Sequence, residues 1–204
     1  MKLTLHTMPG TIGVATHVAL EEGKFDYETI KVDFARQEQL SDSYRKLNPR
    51  QRVPSLVVDS HVLSETPAIL FYLAQLAPDA PIALPREPLK IADIQSFNSY
   101  LGSTVHVAHA HKMRGARWSN DDTTMASMKA YVPTTMSHCF ELIENELLKG
   151  PWVQGADFSI NDPYLFAISQ WLEGDGVDIA KYPKVQQHHA SMLHRASVQK
   201  VLVA

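Results

Sequence analysis

The stretch Asn48-Pro-Arg-Gln-Arg-Val-Pro-Ser-Leu-Val-Val-Asp-Ser-His-Val-Leu-Ser-Glu-Thr-Pro-Ala-Ile-Leu70 decides how the rest of the chain is read. Asn48-Pro49 is a turn signal, and Pro54 then heads the apolar run Leu56-Val57-Val58. Proline gives no N–H to a sheet ladder and is tolerated at a strand's first residue or on an edge. Asp59-Ser60 reads as the turn of a hairpin whose second strand is His61-Val62-Leu63. Ser64-Glu65-Thr66-Pro67 follows as a helix start, with Thr66 as N-cap and Pro67 in the first turn, where its missing N–H costs nothing. A helix start leaves N–H groups unpaired and carries partial positive charge, so it suits a carboxylate. Glu65 beside it suits an amine. The two together describe a pocket for the zwitterionic end of an amino acid.

Toward the N-terminus, Lys2 to Thr7 predicts a strand ending at Met8-Pro9-Gly10. Val14, Val18 and Ala19 predict a helix over about 13–22, stopped by Gly23. Tyr27 to Phe34 alternates with Ile30, Val32 and Phe34 on one face, a second strand. A short helix is expected over Ser41–Leu47. Strand-helix-strand, a polar helix, then hairpin-helix gives a mixed sheet with helices on both faces. Toward the C-terminus, Pro78, Pro81, Pro85 and Pro88 mark a semi-rigid linker. Beyond it helices are expected over about 89–111, 125–148, 162–172 and 184–202. Ser159 and Asp162 have capping-box spacing. The expected division is 1–78, a linker at 79–88, and an all-helical part at 89–204.

Composition sets outer limits. Among 204 residues, 45% are hydrophobic and 20% charged, ordinary for a chain with a substantial core. The net charge of −3 is mild, and neither half carries a basic excess, which argues against nucleic acid as the main partner. One cysteine rules out an intrachain disulfide framework and fits a reducing cytosol. No apolar run is long enough for a membrane span, and the N-terminus reads as a strand rather than a signal peptide. The expectation is a cytoplasmic protein.

Val53-Pro54 followed by Ser64-Glu65-Thr66 resembles the glutathione-binding half of the glutathione S-transferase family, and the likeness extends along nearly the whole chain. Gly155-Ala-Asp-Phe-Ser-Ile-Asn-Asp-Pro-Tyr-Leu-Phe-Ala-Ile-Ser-Gln-Trp171 looks most like bacterial beta-class members. The resemblance implies a thioredoxin-like α/β domain joined to an all-α domain, a cis Val53-Pro54 bond, and glutathione as co-substrate. It assigns the backbone of Val53, after Arg52, to the cysteinyl unit, and Glu65 and Thr66 to the γ-glutamyl end. Arg36 and Gln37 stand near a glycine-carboxylate position, while Asn98 and Ser99 stand on a helix facing the ligand; solvated surface is the other reading of all four. Gln51 occupies a place where a glycine is common.

The resemblance also frames the chemistry. Thr11 follows Pro9-Gly10, where many members have a serine that donates to the glutathione thiolate; otherwise it caps the first helix. Ile12 stands where beta-class members have cysteine, and no tyrosine lies at the end of the first strand. His106 matches a beta-class histidine near the sulfur, an alternative being a helix-face histidine bonded within the interface. His106, His109 and His111 do not converge on one helix face, so no metal is expected. Cys139 shares a face with Met136, Phe140 and Ile143 and reads as core. Met8, Ile12, Met113 and Trp118 are expected around the electrophile. The implied function is thiol activation and attack on a small electrophile by a homodimer. The rival is a protein that binds glutathione without conjugating it, and a third option is a glutathione-dependent peroxidase or lyase.

Overall fold

In β1 (Leu3–Thr7), Leu3, Leu5 and Thr7 are buried while Thr4 and His6 are not fully so, the period of a strand with one face on the main core. The computed structural model describes residues 1–203; Ala204, the last residue of the expected helical part, lies outside the described residues. β1 pairs parallel with β2 (Glu28–Lys31) and antiparallel with β3 (Ser55–Val58), which returns as β4 (His61–Ser64). The sheet order is β2-β1-β3-β4, and Leu5 stands opposite Thr29 on one side and Leu56 on the other. The hairpin turns at Asp59, whose φ of 53° supplies the left-handed residue a tight turn needs.

α1 (Gly13–Glu22) crosses between β1 and β2 and is buried at every position but Glu21. A helix covered all round belongs to the interior, and this one lies against β1, α3 (Thr66–Leu76), α7 (Asn161–Ser169) and α9 (Ala196–Leu202). On the other face of the sheet α2 (Asp42–Leu47) brings Tyr44 against Val32, Val53, Met8 and Phe34 in a smaller cluster. Ser41 caps α2 by accepting the Tyr44 N–H at 3.2 Å.

Three expectations change in detail. The second strand is four residues long and exposed throughout, with Ile30 on the surface. It is an edge, and the Asp33 carboxylate ends it by accepting the N–H groups of Ala35 and Arg36. The first long helix runs as α4 (Pro88–Tyr100), a wider turn over Leu101–Val105, and α5 (His106–Ala110). The last helix is two, α8 (Pro183–Leu193) and α9, parted at Arg195. There the guanidinium donates to both Glu22 oxygens at 2.6 and 2.7 Å and lies 3.9 Å over the Phe158 ring, which pulls the backbone out of the helix. α6 (Asp122–Leu142) starts at the Asp121 cap.

Asp162 returns the bond expected of it, accepting the Ser159 N–H at 2.7 Å, while the Ser159 hydroxyl accepts from Asn161 rather than Asp162. The same carboxylate takes the Val153 N–H at 2.8 Å and the ring of buried His188 at 3.0 Å. Cys139 is buried, and burial pushes its thiol up. No helix among the described residues is long and apolar enough to cross a membrane.

Candidate functional site

A cleft of about 730 Å3 opens where the helical half meets the ends of β1, β3 and β4. Its floor is the loop before β3, and Asn48 holds that loop from behind. The buried Asn48 amide donates to the Arg52 carbonyl at 2.8 Å and to Ser55 Oγ at 2.9 Å, and its oxygen accepts the Arg50 N–H at 3.0 Å. Tyr44 adds its hydroxyl to the Arg52 carbonyl at 2.9 Å. Gln51 sits at φ 55°, the left-handed region that favours the glycine expected there. The Val53-Pro54 bond is cis, as the family resemblance implies. Val53 lines the cleft, and its N–H and C=O have no partner among the described residues. An unpaired backbone edge of this kind is ready to take an extended peptide.

Above the floor stands the start of α3. Thr66 is already inside the helix, and Glu65 takes the N-cap position expected for Thr66, at φ 73° and ψ 115°. Pro67 brings no N–H, so the groups left over at this end are those of Thr66 and Ala68, neither partnered among the described residues. The Glu65 carboxylate lies 3.4 Å from Arg50 Nε, whose Nη1 donates to Ser64 Oγ at 2.8 Å. Tyr164 reaches the same corner from α7, and burial, with the Glu65 charge second, raises its hydroxyl well above the usual range. Gly102 permits this approach, since a Cβ there would lie 3.2 Å from the Tyr164 oxygen.

The third wall is the start of α1. Thr11 lines the cleft, but its hydroxyl donates to the Met8 carbonyl at 2.6 Å and accepts the Gly13 N–H at 3.2 Å. It therefore shapes the turn. The Ile12 N–H, one residue on, has no partner among the described residues. Facing it is a stacked group from the helical half. Trp171 Nε1 donates to the Gly10 carbonyl at 3.1 Å, His109 stacks on the Trp171 ring at 4.1 Å, and His106 lies 5.1 Å from the same ring. His109 Nδ1 is 2.7 Å from the buried Asp175 carboxylate. Burial, then the neighbouring His109, Arg117 and Arg52, hold His106 down to about pH 4, so it is neutral at pH 7.

The cleft thus gathers Thr11, Arg52, Val53, Pro54, Glu65, Thr66, Ser99 and His106 from distant parts of the chain. Asn98 joins them; its oxygen accepts from Asn161 at 2.9 Å, and its buried amide nitrogen has no partner among the described residues. Arg36 and Gln37 do not join. They lie outside the cleft on the turn after β2, Arg36 pointing to Asp33 at 3.6 Å, because that edge strand ends early. Met8 also turns away, into the cluster around Tyr44, whereas Ile12, Met113 and Trp118 line the cleft. No group of three or more metal-ligating side chains occurs among the described residues; His111 packs against Trp118 at 4.4 Å. Sequence reasoning missed Asn48 as a buried hub, Tyr164, Trp171, Arg114 and Arg117. An aromatic at the end of a buried helix was visible at Trp171, but its contact with Gly10 spans 161 residues.

Comparison with known proteins identifies the family. Residues 1–75 match the family model described as the glutathione S-transferase N-terminal domain. A glutathione transferase homolog from Sulfitobacter, solved with bound glutathione, is 47% identical with a TM-score of 0.95 over 98% of this chain and 96% of its own. A bacterial beta-class glutathione S-transferase from Sphingomonas chungbukensis is 31% identical, with a TM-score of 0.85 over 98% and 97%. A maleylacetoacetate isomerase from Dictyostelium discoideum is 29% identical over 86% of this chain and 81% of its own length. With a fold of four mixed strands and a helical second half, and a relative 47% identical along almost all of both chains, this protein belongs to the glutathione S-transferase family.

Proposed function

We propose that the cleft binds glutathione in extended form and joins it through its sulfur to a small electrophilic compound. The observation that carries this is the convergence, in one cleft, of an unpaired Val53 backbone and an unpaired helix start at Thr66, opening on the free Ile12 N–H. Val53 pairs with the cysteinyl unit, the start of α3 takes the γ-glutamyl carboxylate, and Glu65 takes its ammonium. Arg52, not Arg36 or Gln37, is the cationic group beside this path for the glycine carboxylate. The sulfur then lies at the turn Thr11-Ile12-Gly13. The Ile12 N–H and the dipole of α1 lower its pKa, Thr11 holds the turn, and neutral His106 offers the sulfur a hydrogen bond.

The thiolate attacks an electrophilic carbon, forms the C–S bond and expels the leaving group with its electron pair. Glutathione is the only co-substrate this scheme requires. A cytoplasmic homodimer fits the composition and the apolar surface left on the helical half, where Leu89 on α4 is 76% exposed and Tyr131 on α6 is 56% exposed. One observation favours a second reading, glutathione binding without conjugation. The Thr11 hydroxyl is committed to Met8, and Ile12 offers the sulfur no side-chain donor. A thermal-shift titration with glutathione beside an aryl-halide conjugation assay separates them: binding with turnover supports transfer, binding alone the second reading.

A further inference from the structure

The charged groups lining the cleft are unbalanced. Arg52, Arg114 and Arg117 line it against a single carboxylate, Glu65, which already faces Arg50. Arg36, Arg50 and Arg195 each have a carboxylate within 4.0 Å, whereas Arg52, Arg114 and Arg117 have none among the described residues. Their fields reach one another: Arg117 is lowered first by burial and then by Arg52 and Arg114. Like charges held together without a counter-ion raise the free energy of the empty cleft, and an anion relieves it.

The arginines divide by position. Arg52 immediately precedes Val53 on the floor, along the path of the bound peptide. Arg114 precedes and Arg117 ends the turn Gly115–Arg117 between α5 and α6. That turn is pinned, since Gly115 packs so tightly that a Cβ would lie 3.1 Å from Met125 Cγ. Beside it stand Met113 and Trp118, both in the cleft lining and both exposed. An apolar wall next to a pair of guanidinium forks suits an aromatic or aliphatic body that ends in a carboxylate.

We propose that Arg114 and Arg117 form an anion subsite on the helical wall, and that the electrophile is one bearing a carboxylate. This rests on the glutathione-transfer reading of the same cleft. Glutathione's two carboxylates are taken by the start of α3 and by Arg52, which leaves Arg114 and Arg117 for the second substrate.

The test uses a matched pair, 4-chloro-3-nitrobenzoate and 4-chloro-3-nitrobenzamide, with glutathione and the full-length protein. In both, sulfur forms the C–S bond, the C–Cl bond breaks, and chloride leaves with the bonding pair. The expected result is that the ratio of kcat/KM for benzoate over benzamide falls at least about tenfold in the Arg114→Ala/Arg117→Ala double variant, the size of one lost charge-assisted contact. Arg114→Lys/Arg117→Lys should recover part of that ratio, and added salt should lower it in wild type. An unchanged ratio overturns the proposal. A higher bound-thiol pKa with an unchanged ratio does so too, and assigns the arginines to the sulfur. Calorimetry of 3-nitrobenzoate against 3-nitrobenzamide on the glutathione-loaded protein keeps the two readings apart. Should no conjugation occur, the transfer reading has failed, and preferential benzoate binding lost in the double variant still upholds the subsite, while equal binding rejects it.

Discussion

Glu65 holds a backbone conformation, φ 73° and ψ 115°, that costs a residue with a Cβ about 1–3 kcal/mol. Strain of this kind persists where the side chain serves another purpose. Glu65→Ala should weaken glutathione binding by about 1.5–3 kcal/mol, the value of a charge-assisted bond. Glu65→Gly should weaken binding as much yet raise resistance to urea, because glycine adopts this conformation freely. Equal urea midpoints for Gly and Ala would show that the backbone stores no strain, and unchanged calorimetry would remove Glu65 from the site. His106 makes a second prediction. Its folded pKa of about 4 lies below the ordinary 6.5, so between those values the unfolded chain binds a proton that the folded one does not. Stability is therefore full above pH 6.5 and falls on acidification toward pH 4, by an amount on the order of 2–3 kcal/mol from this residue. Burial lowers His6, His17 and His189 as well, so His106→Gln should reduce the acid loss without abolishing it. Urea unfolding at pH 7 and pH 4.5 measures this, and an identical loss in both proteins would contradict it. At this scale Glu65 was marked by its place beside a helix start, and His106 by the family resemblance. Arg114 and Arg117 carried no such mark, because an arginine in a polar turn reads as solvated surface until the fold shows that no carboxylate is near.

Asp162 shows what one cap does for an element. Its carboxylate accepts from Val153, Ser159 and His188, all within 3.0 Å, and neither it nor His188 touches solvent. Asp162→Ala leaves two backbone N–H groups and an imidazole unsatisfied in the core, so it should cost about 3–5 kcal/mol. The loss belongs to folding. Chemical denaturation should show it in full, while any protein that remains folded should bind glutathione with unchanged affinity; a stable variant with weakened binding would refute the assignment. The capping box was legible because both partners lie within four residues of each other. α1, α2, the hairpin and α3 were legible for the same reason, each carrying its own periodicity and its own stop. The break at Arg195 was not, since its cause, Glu22, lies 173 residues away. The short β2 was over-read: Ile30 keeps the alternation of a buried strand but stands on an edge.

Across the whole molecule a single hydrophobic cluster runs from Leu3 to Val201, and the division proposed at 79–88 does not divide it. Ile82, in the middle of that proline-rich connection, is fully buried. Glu22 with Arg195, and Gly10 with Trp171, tie the first helix and its entry loop to the helical half. The cleft is thus framed by elements that cannot shift independently, as preorganisation of a thiol site requires. Composition and element order made the two-part architecture legible, whereas the contacts that align its parts are long-range and polar, and leave no local pattern.

The central claim is that this framed cleft binds glutathione and activates its sulfur, and the most direct measurement is the pKa of the bound thiol, read from thiolate absorbance against pH. Free thiols titrate near 8.5, and each unit of depression corresponds to about 1.4 kcal/mol of preferential thiolate binding. With the start of α1 and the Ile12 N–H facing the sulfur, the bound thiol should titrate at least about one unit below the free value. Thr11→Val, which removes both hydroxyl bonds of that turn and leaves its backbone bonds, should bring it back toward 8.5, and Thr11→Ser should restore the depression. A bound thiol that titrates like the free one, or one indifferent to Thr11→Val, would contradict the account.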